Sequence, residues 1–473
     1  MQVRLDGHSL TIPELEAIAS RAIEITVDPA ALALVDERHA GLREARARGA
    51  VYGANTGVGA NRHEQAGDPD GHALRLLQSH CAGAGPEEDD RTARAVMAVR
   101  LNQILAGGSG VSRRVAEALA AALRAGAVPA LHRWGAIGTA DLSPLAELTL
   151  TLAGARPWRS GDAPAVELDA TDALPMISSS ALTVATSALA VSEVHRHLRA
   201  STIIAALSFL ALRGNPEAYD PAVHAARAHP HQIAVAETLH TLVTGASPAL
   251  RLQDPFGLRV VPQVTAPALH AAENLTAAVT AEINAAVENP LVTADGIHHH
   301  GQFHTATLAS GLDAVRGALL PVMSLSAARL SLLMRPDMTG LRPFLADGPP
   351  GSSGLMITEY LVQDLLAEMR GTVQPTASGT LSISLGLEEH ASFATQGARS
   401  LRTMTQLTPT LLAAELVAAV RALSLAPERL TTGTLRTAYD LATASLSPDL
   451  TDRPLDGDLT HAAALLPRLA TLL

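Results

Sequence analysis

Tyr52 stands in Val51-Tyr52-Gly53-Ala54-Asn55-Thr56-Gly57-Val58-Gly59, a run with three glycines around one tyrosine. A phenol held on such a loop can serve as a general base, provided its pKa falls well below the ordinary value of about 10. An isolated run of this kind otherwise reads as a flexible surface loop. His80, in Leu76-Leu77-Gln78-Ser79-His80-Cys81-Ala82-Gly83, offers an imidazole beside an apolar stretch, either structural or facing a substrate. Gln253-Asp254-Pro255-Phe256-Gly257-Leu258-Arg259 ends on a guanidinium. Its rigid fork of donors matches a carboxylate, and the plainer alternative is a surface ion pair. Glu388 and Glu389 are adjacent acids, which usually mark a solvated helix face. His300 and His304 lie four apart, a metal-ligand spacing if helical, but Gly301 between them favours a turn. No metal site is expected.

These side chains need a frame. Thr11-Ile12-Pro13-Glu14 is a helix start, with threonine as N-cap and proline in the first turn. Residues 51–85 read as loop plus a short helix. Val115, Leu119 and Leu123 mark one helix face, stopped by Gly126. Long helices dominate beyond about residue 180, one over Thr183–Leu212 and another starting at Thr408-Pro409 with Leu412, Leu416, Val420 and Leu423 at helical spacing. Helices carrying alanine on most faces can pack closely in a bundle. At 473 residues the chain is long enough for two or three domains. No repeat or low-complexity linker separates its halves. The expectation is one integrated, mainly α protein, with an irregular N-terminal portion over 1–190 and a helical portion over 191–473.

Composition excludes several function classes. The chain is 47% hydrophobic but only 2% aromatic, a profile of alanine- and leucine-rich helices. A formal net charge of -11 argues against nucleic-acid or anionic-membrane partners. All 35 basic residues are arginine, which removes lysine Schiff-base chemistry and the P-loop lysine. One cysteine, Cys81, cannot form an internal disulfide. Met1-Gln-Val-Arg-Leu-Asp-Gly shows no basic-then-apolar signal pattern. The longest apolar run, near Thr202–Leu212, is broken by Ser208 and too short to span a bilayer. A cytoplasmic protein acting on a small molecule is expected, with no membrane or nucleic-acid partner.

Gly135-Ala136-Ile137-Gly138-Thr139-Ala140-Asp141-Leu142-Ser143-Pro144-Leu145-Ala146-Glu147 closely resembles the signature of the histidine/phenylalanine (aromatic amino acid) ammonia-lyase family. There, an inner Ala-Ser-Gly cyclises into the electrophile 4-methylideneimidazole-5-one. Here Gly138, Thr139 and Ala140 form a degenerate version, one residue short and without serine. The Tyr52 run resembles Tyr-Gly-Val-Asn-Thr-Gly-Phe-Gly, which makes Tyr52 the proton-removing base. His80 matches the histidine of Leu-Ser-His-Ala-Ala-Gly, which faces the substrate, and the histidine lyases are the nearest branch. Gln253 to Arg259 resembles Gln-Asp-Pro-Tyr-Ser-Leu-Arg, with Phe256 in place of the tyrosine and Arg259 as carboxylate anchor. Glu288-Asn289-Pro290-Leu291 resembles Asp-Asn-Pro-Leu. His298 to His304 resembles Gly-Gly-Asn-Phe-His-Gly, with Phe303 lining the pocket and Gln302 in place of the asparagine. Gly348 to Ile357 resembles Gly-Gly-Leu-Asn-Ser-Gly-Phe-Met-Ile. Leu387 to Ser392 resembles Gln-Glu-Asp-His-Val-Ser, making Glu388 a pocket carboxylate. Met176-Ile177-Ser178-Ser179-Ser180-Ala181 stands where Leu-Ile-Asn-Gly-Thr-Gln is usual, so Ser178 replaces the asparagine that holds the electrophile. Three serines there could line a wall or cap the next helix.

The resemblance implies the fumarase/aspartase-like long helical bundle. Its parallel central helices assemble as a homotetramer, and each site draws on three subunits. It also implies that the losses fall together on the electrophile. Without that group, a free amine is a poor leaving group and the β-proton is barely acidic. General base catalysis supplies about 100- to 10,000-fold, short of the need. The expectation is therefore a lyase or cyclase without cofactor. It would eliminate a better leaving group, remove a proton beside a carbonyl, or add to an unsaturated acid. Tyr52 would be the base, Arg259 would hold a carboxylate, and His80 with Glu388 would orient a polar side chain. A conventional histidine-type ammonia-lyase or aminomutase, and a silent ligand-binding homologue, are the alternatives.

Overall fold

A computed structural model describes residues 2–473, and the protein is mainly helical with four two-stranded sheets among the described residues. The chain divides into two compact units. The first holds the chain through Ser192 together with Leu275–Leu312 and Pro375–Arg399. The second holds Glu193–Asn274, Asp313–Gln374 and Ser400–Leu473. The units are interleaved along the sequence, where a single boundary near residue 190 was expected. Most crossings fall inside the helices Ala181–Leu212, Val261–Ile283, Ala306–Leu333 and Ala394–Leu425. A boundary inside a helix leaves no linker composition to read.

In the first unit, strands Gln2–Leu5 and Glu24–Val27 pair in parallel, with helix Ile12–Ala19 between them in sequence. Thr11 starts that helix as expected, its hydroxyl accepting from the Glu14 N–H at 3.4 Å while the Glu14 carboxylate accepts from the Thr11 N–H at 2.9 Å. Helix Asp90–Leu105 is buried from Thr92 to Leu105, packed by helices Ile12–Ala19, Pro29–Arg48 and Arg113–Ala125. A helix enclosed on every side has to find internal partners for its charges. Arg94 donates to the carbonyls of Ile18 and Leu123. Arg100 pairs with Glu288 at 2.6 Å, both side chains wholly buried, and donates to the carbonyls of Pro175 and Met176. Gly126 ends helix Arg113–Ala125 at φ +73°, a left-handed cap that glycine adopts without a steric penalty.

The second unit is organised around a buried carboxylate. Glu415 accepts hydrogen bonds from Ser208 at 2.7 Å, Ser326 at 2.5 Å, and Arg329 Nε and Nη2 at 2.6 and 2.9 Å. The Tyr219 hydroxyl donates to the Leu258 carbonyl at 2.7 Å.

Two readings of the long helices need correction. The helix expected to start at Thr408-Pro409 begins at Ala394 and contains Pro409. Proline removes one backbone donor, and the Thr408 hydroxyl donates to the Met404 carbonyl one turn back, at 2.9 Å. Among the described residues, three helical stretches are also long and apolar enough to cross a membrane: Ala173–Leu212, Ala306–Leu333 and Ala394–Leu425. Counting only uninterrupted apolar residues missed them, because serine and threonine hydroxyls bond back to the helix backbone, as Ser187 does to Thr183. The apolar stretch of Ala173–Leu212 is entirely buried within the protein.

Candidate functional site

The Tyr52 run is a pinned loop, not a flexible one. Asn55 Oδ1 accepts from the Val51 N–H at 2.7 Å, and Asn55 Nδ2 donates to the Gly49 carbonyl at 2.8 Å. The loop is thereby tied to the end of helix Pro29–Arg48. The Thr56 hydroxyl accepts from the Gly53 N–H at 3.1 Å. Gly53 is left-handed at φ +67° and lies against Leu174, where a Cβ would have no room. The loop then curls so that the Gly59 N–H donates to the Tyr52 hydroxyl at 2.8 Å. Next to it, the Ala60 N–H donates to Ser384 Oγ at 2.9 Å, which brings the turn around Ile383–Glu388 to the same place.

These elements enclose a cavity of about 650 Å³ in the first unit. Tyr52, Arg62, His63, Asn289, His299, His300, Phe303 and Glu388 line it, which brings together the expected Tyr52, Phe303 and Glu388. Its size suits a small organic molecule. His299 sits edge-on to the Tyr52 ring, with centroids 6.3 Å apart.

Burial pushes the Tyr52 phenol above its ordinary range, and the Glu388 carboxylate pushes the same way. The Gly59 N–H and the Arg62 guanidinium oppose them. The lowered pKa that a resting phenolate needs is therefore absent, and Tyr52 is a phenol at neutral pH.

Gly59 has φ +56°, and a Cβ there would lie 2.5 Å from Ser384 Oγ. Replacing Gly59 with alanine is expected to destabilise the protein by about 1–2 kcal/mol through the left-handed backbone. It would also lower turnover up to about 100-fold by displacing the donor on Tyr52. Thermal unfolding and steady-state kinetics read the two effects separately.

The remaining expected residues are dispersed. Ser178 is buried behind the cavity wall, its hydroxyl accepting from the Asn289 N–H at 3.0 Å. Ser179 donates to Gln103 Oε1 at 2.6 Å and Ser180 to the Phe303 carbonyl at 3.1 Å. The serine hydroxyls thus fasten neighbouring segments, rather than forming a wall or a cap. His80 is in the first unit but does not line the cavity, and its Nδ1 donates to the Leu76 carbonyl at 2.8 Å. Gln253, Phe256 and Arg259 belong to the second unit. There Arg259 lies over the Phe256 ring, 4.7 Å from its centroid, and donates to Gln253 Oε1 at 2.9 Å. It makes no ion pair among the described residues, so the surface ion pair expected as the plainer reading is not formed. His304 meets His390 at 2.9 Å, and no three potential metal ligands gather among the described residues.

The Gly138–Ala140 segment is held firmly. The Gly138 carbonyl accepts from the Thr305 hydroxyl at 2.9 Å, the Thr305 N–H at 3.3 Å and the Ser392 hydroxyl at 2.8 Å. Thr139 forms a backbone bridge with His304. Ala140 has φ +72°, a conformation that favours glycine.

Asp141 follows, fully buried, accepting from the Thr183 N–H at 2.8 Å and the Thr183 hydroxyl at 3.0 Å. It serves the first turn of helix Ala181–Leu212 from outside that helix. Burial outweighs these bonds and raises its carboxyl to about 6. An acid raised in the folded state contributes stability fully below its unfolded pKa of 3.8, and that contribution is lost as pH rises through about 6. Asp141→Asn should therefore gain on the parent by about 3 kcal/mol between pH 4 and 7. Urea unfolding of both proteins across that range measures it.

Motif reading missed Arg62, His63 and His299 in the cavity lining, and took His300 only as a metal-spacing candidate. Arg62 and His63 come three and four residues after Gly59, and His299 and His300 precede the aromatic Phe303. Only that adjacency could have signalled them.

The sequence profile of the family described as "Aromatic amino acid lyase" matches residues 10–444. The chain is 31% identical to the histidine ammonia-lyase of Geobacillus kaustophilus, over 98% of this chain and 97% of that one. Among solved structures, the tyrosine aminomutase from Streptomyces globisporus superposes with a TM-score of 0.93 at 25% identity, covering 99% of this chain and 97% of that one. Ergothionase from Treponema denticola, an ergothioneine-degrading enzyme solved with desmethyl-ergothioneine sulfonic acid, superposes with a TM-score of 0.92. It is 23% identical and covers 100% of both chains, a likeness of fold.

Proposed function

The chain belongs to the aromatic amino acid lyase family, and from that premise we propose that it is a lyase working without the 4-methylideneimidazole-5-one group. It would carry out base-catalysed elimination or addition on a small carboxylate-bearing molecule. The observation that carries this reading is the cavity in which Tyr52, oriented by the Gly59 N–H, shares the lining with Glu388.

The residues of the Gly138–Ala140 segment do not fit the family's electrophile. Cyclisation would draw the methylidene carbon from the middle residue, and Thr139 would bring an additional methyl to it. The attacking nitrogen would be that of Ala140, whose methyl already occupies a left-handed position. No step is therefore routed through that group. The chemistry left to the chain's own residues is proton transfer and binding, which suits a substrate whose leaving group departs readily, such as a quaternary amine. Tyr52 takes the proton through its phenolate, the minor form at neutral pH, and Glu388 faces a cationic or hydrogen-bonding group; Arg259 keeps the acid-binding role that its motif implies. The exposed Leu252, Phe256 and Leu385 suit burial against further copies in a homotetramer.

The second reading is a conventional histidine-type ammonia-lyase, favoured by the identity to the Geobacillus enzyme. Intact-mass measurement on the purified protein separates the two. We expect the mass of the unmodified sequence, together with elimination from a trimethylated amino acid such as ergothioneine. A mass lower by two water molecules, with ammonia release from L-histidine, would establish the conventional mechanism instead.

A further inference from the structure

A second cavity in the first unit, of about 1020 Å³, shares no lining residue with the Tyr52 cavity. It forms where strand Glu24–Val27 meets the ends of helices Ile12–Ala19 and Arg113–Ala125. Arg21, Arg94 and Arg124 line it, each from a different segment, and Glu24 is the one acid in the lining.

Each guanidinium is placed by backbone carbonyls. Arg94 donates to the carbonyls of Ile18 at 3.0 Å and Leu123 at 3.1 Å, Arg21 to that of Gly126 at 3.0 Å, and Arg124 to that of Ile25 at 3.2 Å. Arg21 follows helix Ile12–Ala19 in the left-handed conformation, φ +58°, and the Ala22 N–H closes the turn on the Ala17 carbonyl at 2.9 Å. Glycine or asparagine is the usual residue at such a helix end. An arginine there keeps a charge at a position whose backbone favours no side chain.

These charges have no carboxylate partner. Among the described residues, none of the three arginines forms an ion pair, with Glu24 or with any other acid. Arg94 is only 4% exposed. Burial holds its guanidinium below the ordinary range and Arg21 pushes the same way, while Asp90, the acid that opposes them, is paired with Arg159. Burying a charge is costly unless it is countered. Two helix C-termini supply about half a negative unit each, which with Glu24 falls short of three guanidinium charges. The cavity is therefore positive in a chain whose net charge is -11.

We propose that this cavity binds a small molecule carrying a phosphate group, at a site separate from the Tyr52 cavity. Three guanidinium forks offer more donors than the two oxygens of a carboxylate can take up. A phosphate ester brings three terminal oxygens and a charge near -2. Arg94 is the buried member of the set, and the exposed Arg21 and Arg124 complete it. A bound phosphate would tie the N-terminal strand to two helix ends, so occupancy should also raise the unfolding temperature.

The test is calorimetry on full-length protein at constant ionic strength, with glycerol 3-phosphate and glycerate as a pair differing in the anionic group. The phosphate should bind wild type at least about tenfold more tightly than the carboxylate. Arg21→Asn and Arg124→Gln should each weaken phosphate binding at least about tenfold, whereas Glu24→Gln should strengthen it by removing the repelling acid. Asparagine suits the left-handed backbone, so the ligand-free Arg21→Asn protein should unfold at the parent's temperature, which separates lost binding from lost fold. Arg62→Gln, in the Tyr52 cavity, should leave phosphate binding unchanged. Absence of phosphate binding, equal binding of glycerate, or a loss confined to Arg62→Gln would overturn the proposal. So would an Arg21→Asn protein that unfolds earlier yet binds as the parent does, since Arg21 would then be a helix cap alone. Whether Tyr52 is the base has no bearing on these outcomes.

Discussion

Tyr52→Phe is expected to lower turnover by about 100- to 10,000-fold, the usual contribution of a positioned general base. The substitution keeps the ring and its edge contact with His299, and removes only the oxygen that accepts the Gly59 N–H. Leaving that donor unpaired costs about 1–3 kcal/mol, so loss of activity alone would not separate chemistry from packing. The pH profile does. Because burial and Glu388 raise the phenol, the active phenolate is scarce at neutral pH. The rate should then climb about tenfold per pH unit and continue rising past pH 10. Glu388→Gln removes the repelling carboxylate and should move that limb to lower pH, whereas Arg62→Gln should move it higher. Steady-state rates from pH 7 to 11 for the parent and the three variants measure these effects. A profile flat above pH 8 in the parent would exclude Tyr52 as the base.

Glu415→Gln is expected to produce the largest loss of stability, about 3–5 kcal/mol, the scale for breaking a buried ion pair. Glu415 is 1% exposed and engages both oxygens, with Arg329 as a two-point partner and two serine hydroxyls completing the set. Glutamine retains one acceptor oxygen and turns an N–H₂ toward the donors of Arg329. The guanidinium, 2% exposed, is then left charged without its counter-ion. Glu415→Met together with Arg329→Met should recover much of the loss, since an apolar pair leaves no buried charge behind. Chemical unfolding of the single and double variants measures both outcomes.

What sequence revealed, and what it hid, follows the range of the forces involved. The Thr11 cap and the Gly126 stop were legible because a cap is a local hydrogen bond or a single backbone angle. Tyr52, Phe303 and Glu388 were singled out by motif, and the fold brings the three to one cavity. The motif could not report the proton affinity of Tyr52, because the lining from Asn289 to Phe303 and the charge of Glu388 come from segments more than 200 residues away in the chain. Nor could it show that Ser178, Ser179 and Ser180 each bond a different segment, since their partners Asn289, Gln103 and Phe303 are distant in sequence. Pro409 read as a helix start because proline is favoured in a first turn, and a helix packed on most sides tolerates it in the interior.

The interleaving of the two units has a consequence for synthesis. A ribosome delivering this chain from its N-terminus releases Tyr52 early, Asn289 to Phe303 past the midpoint, and Glu388 only after four-fifths of the polypeptide. The first unit cannot close around its cavity until that last stretch emerges, even though most of its residues are made first. A nascent fragment ending at Ser192 holds the tyrosine loop but neither far wall. The cavity is thus among the last parts of the chain to be completed.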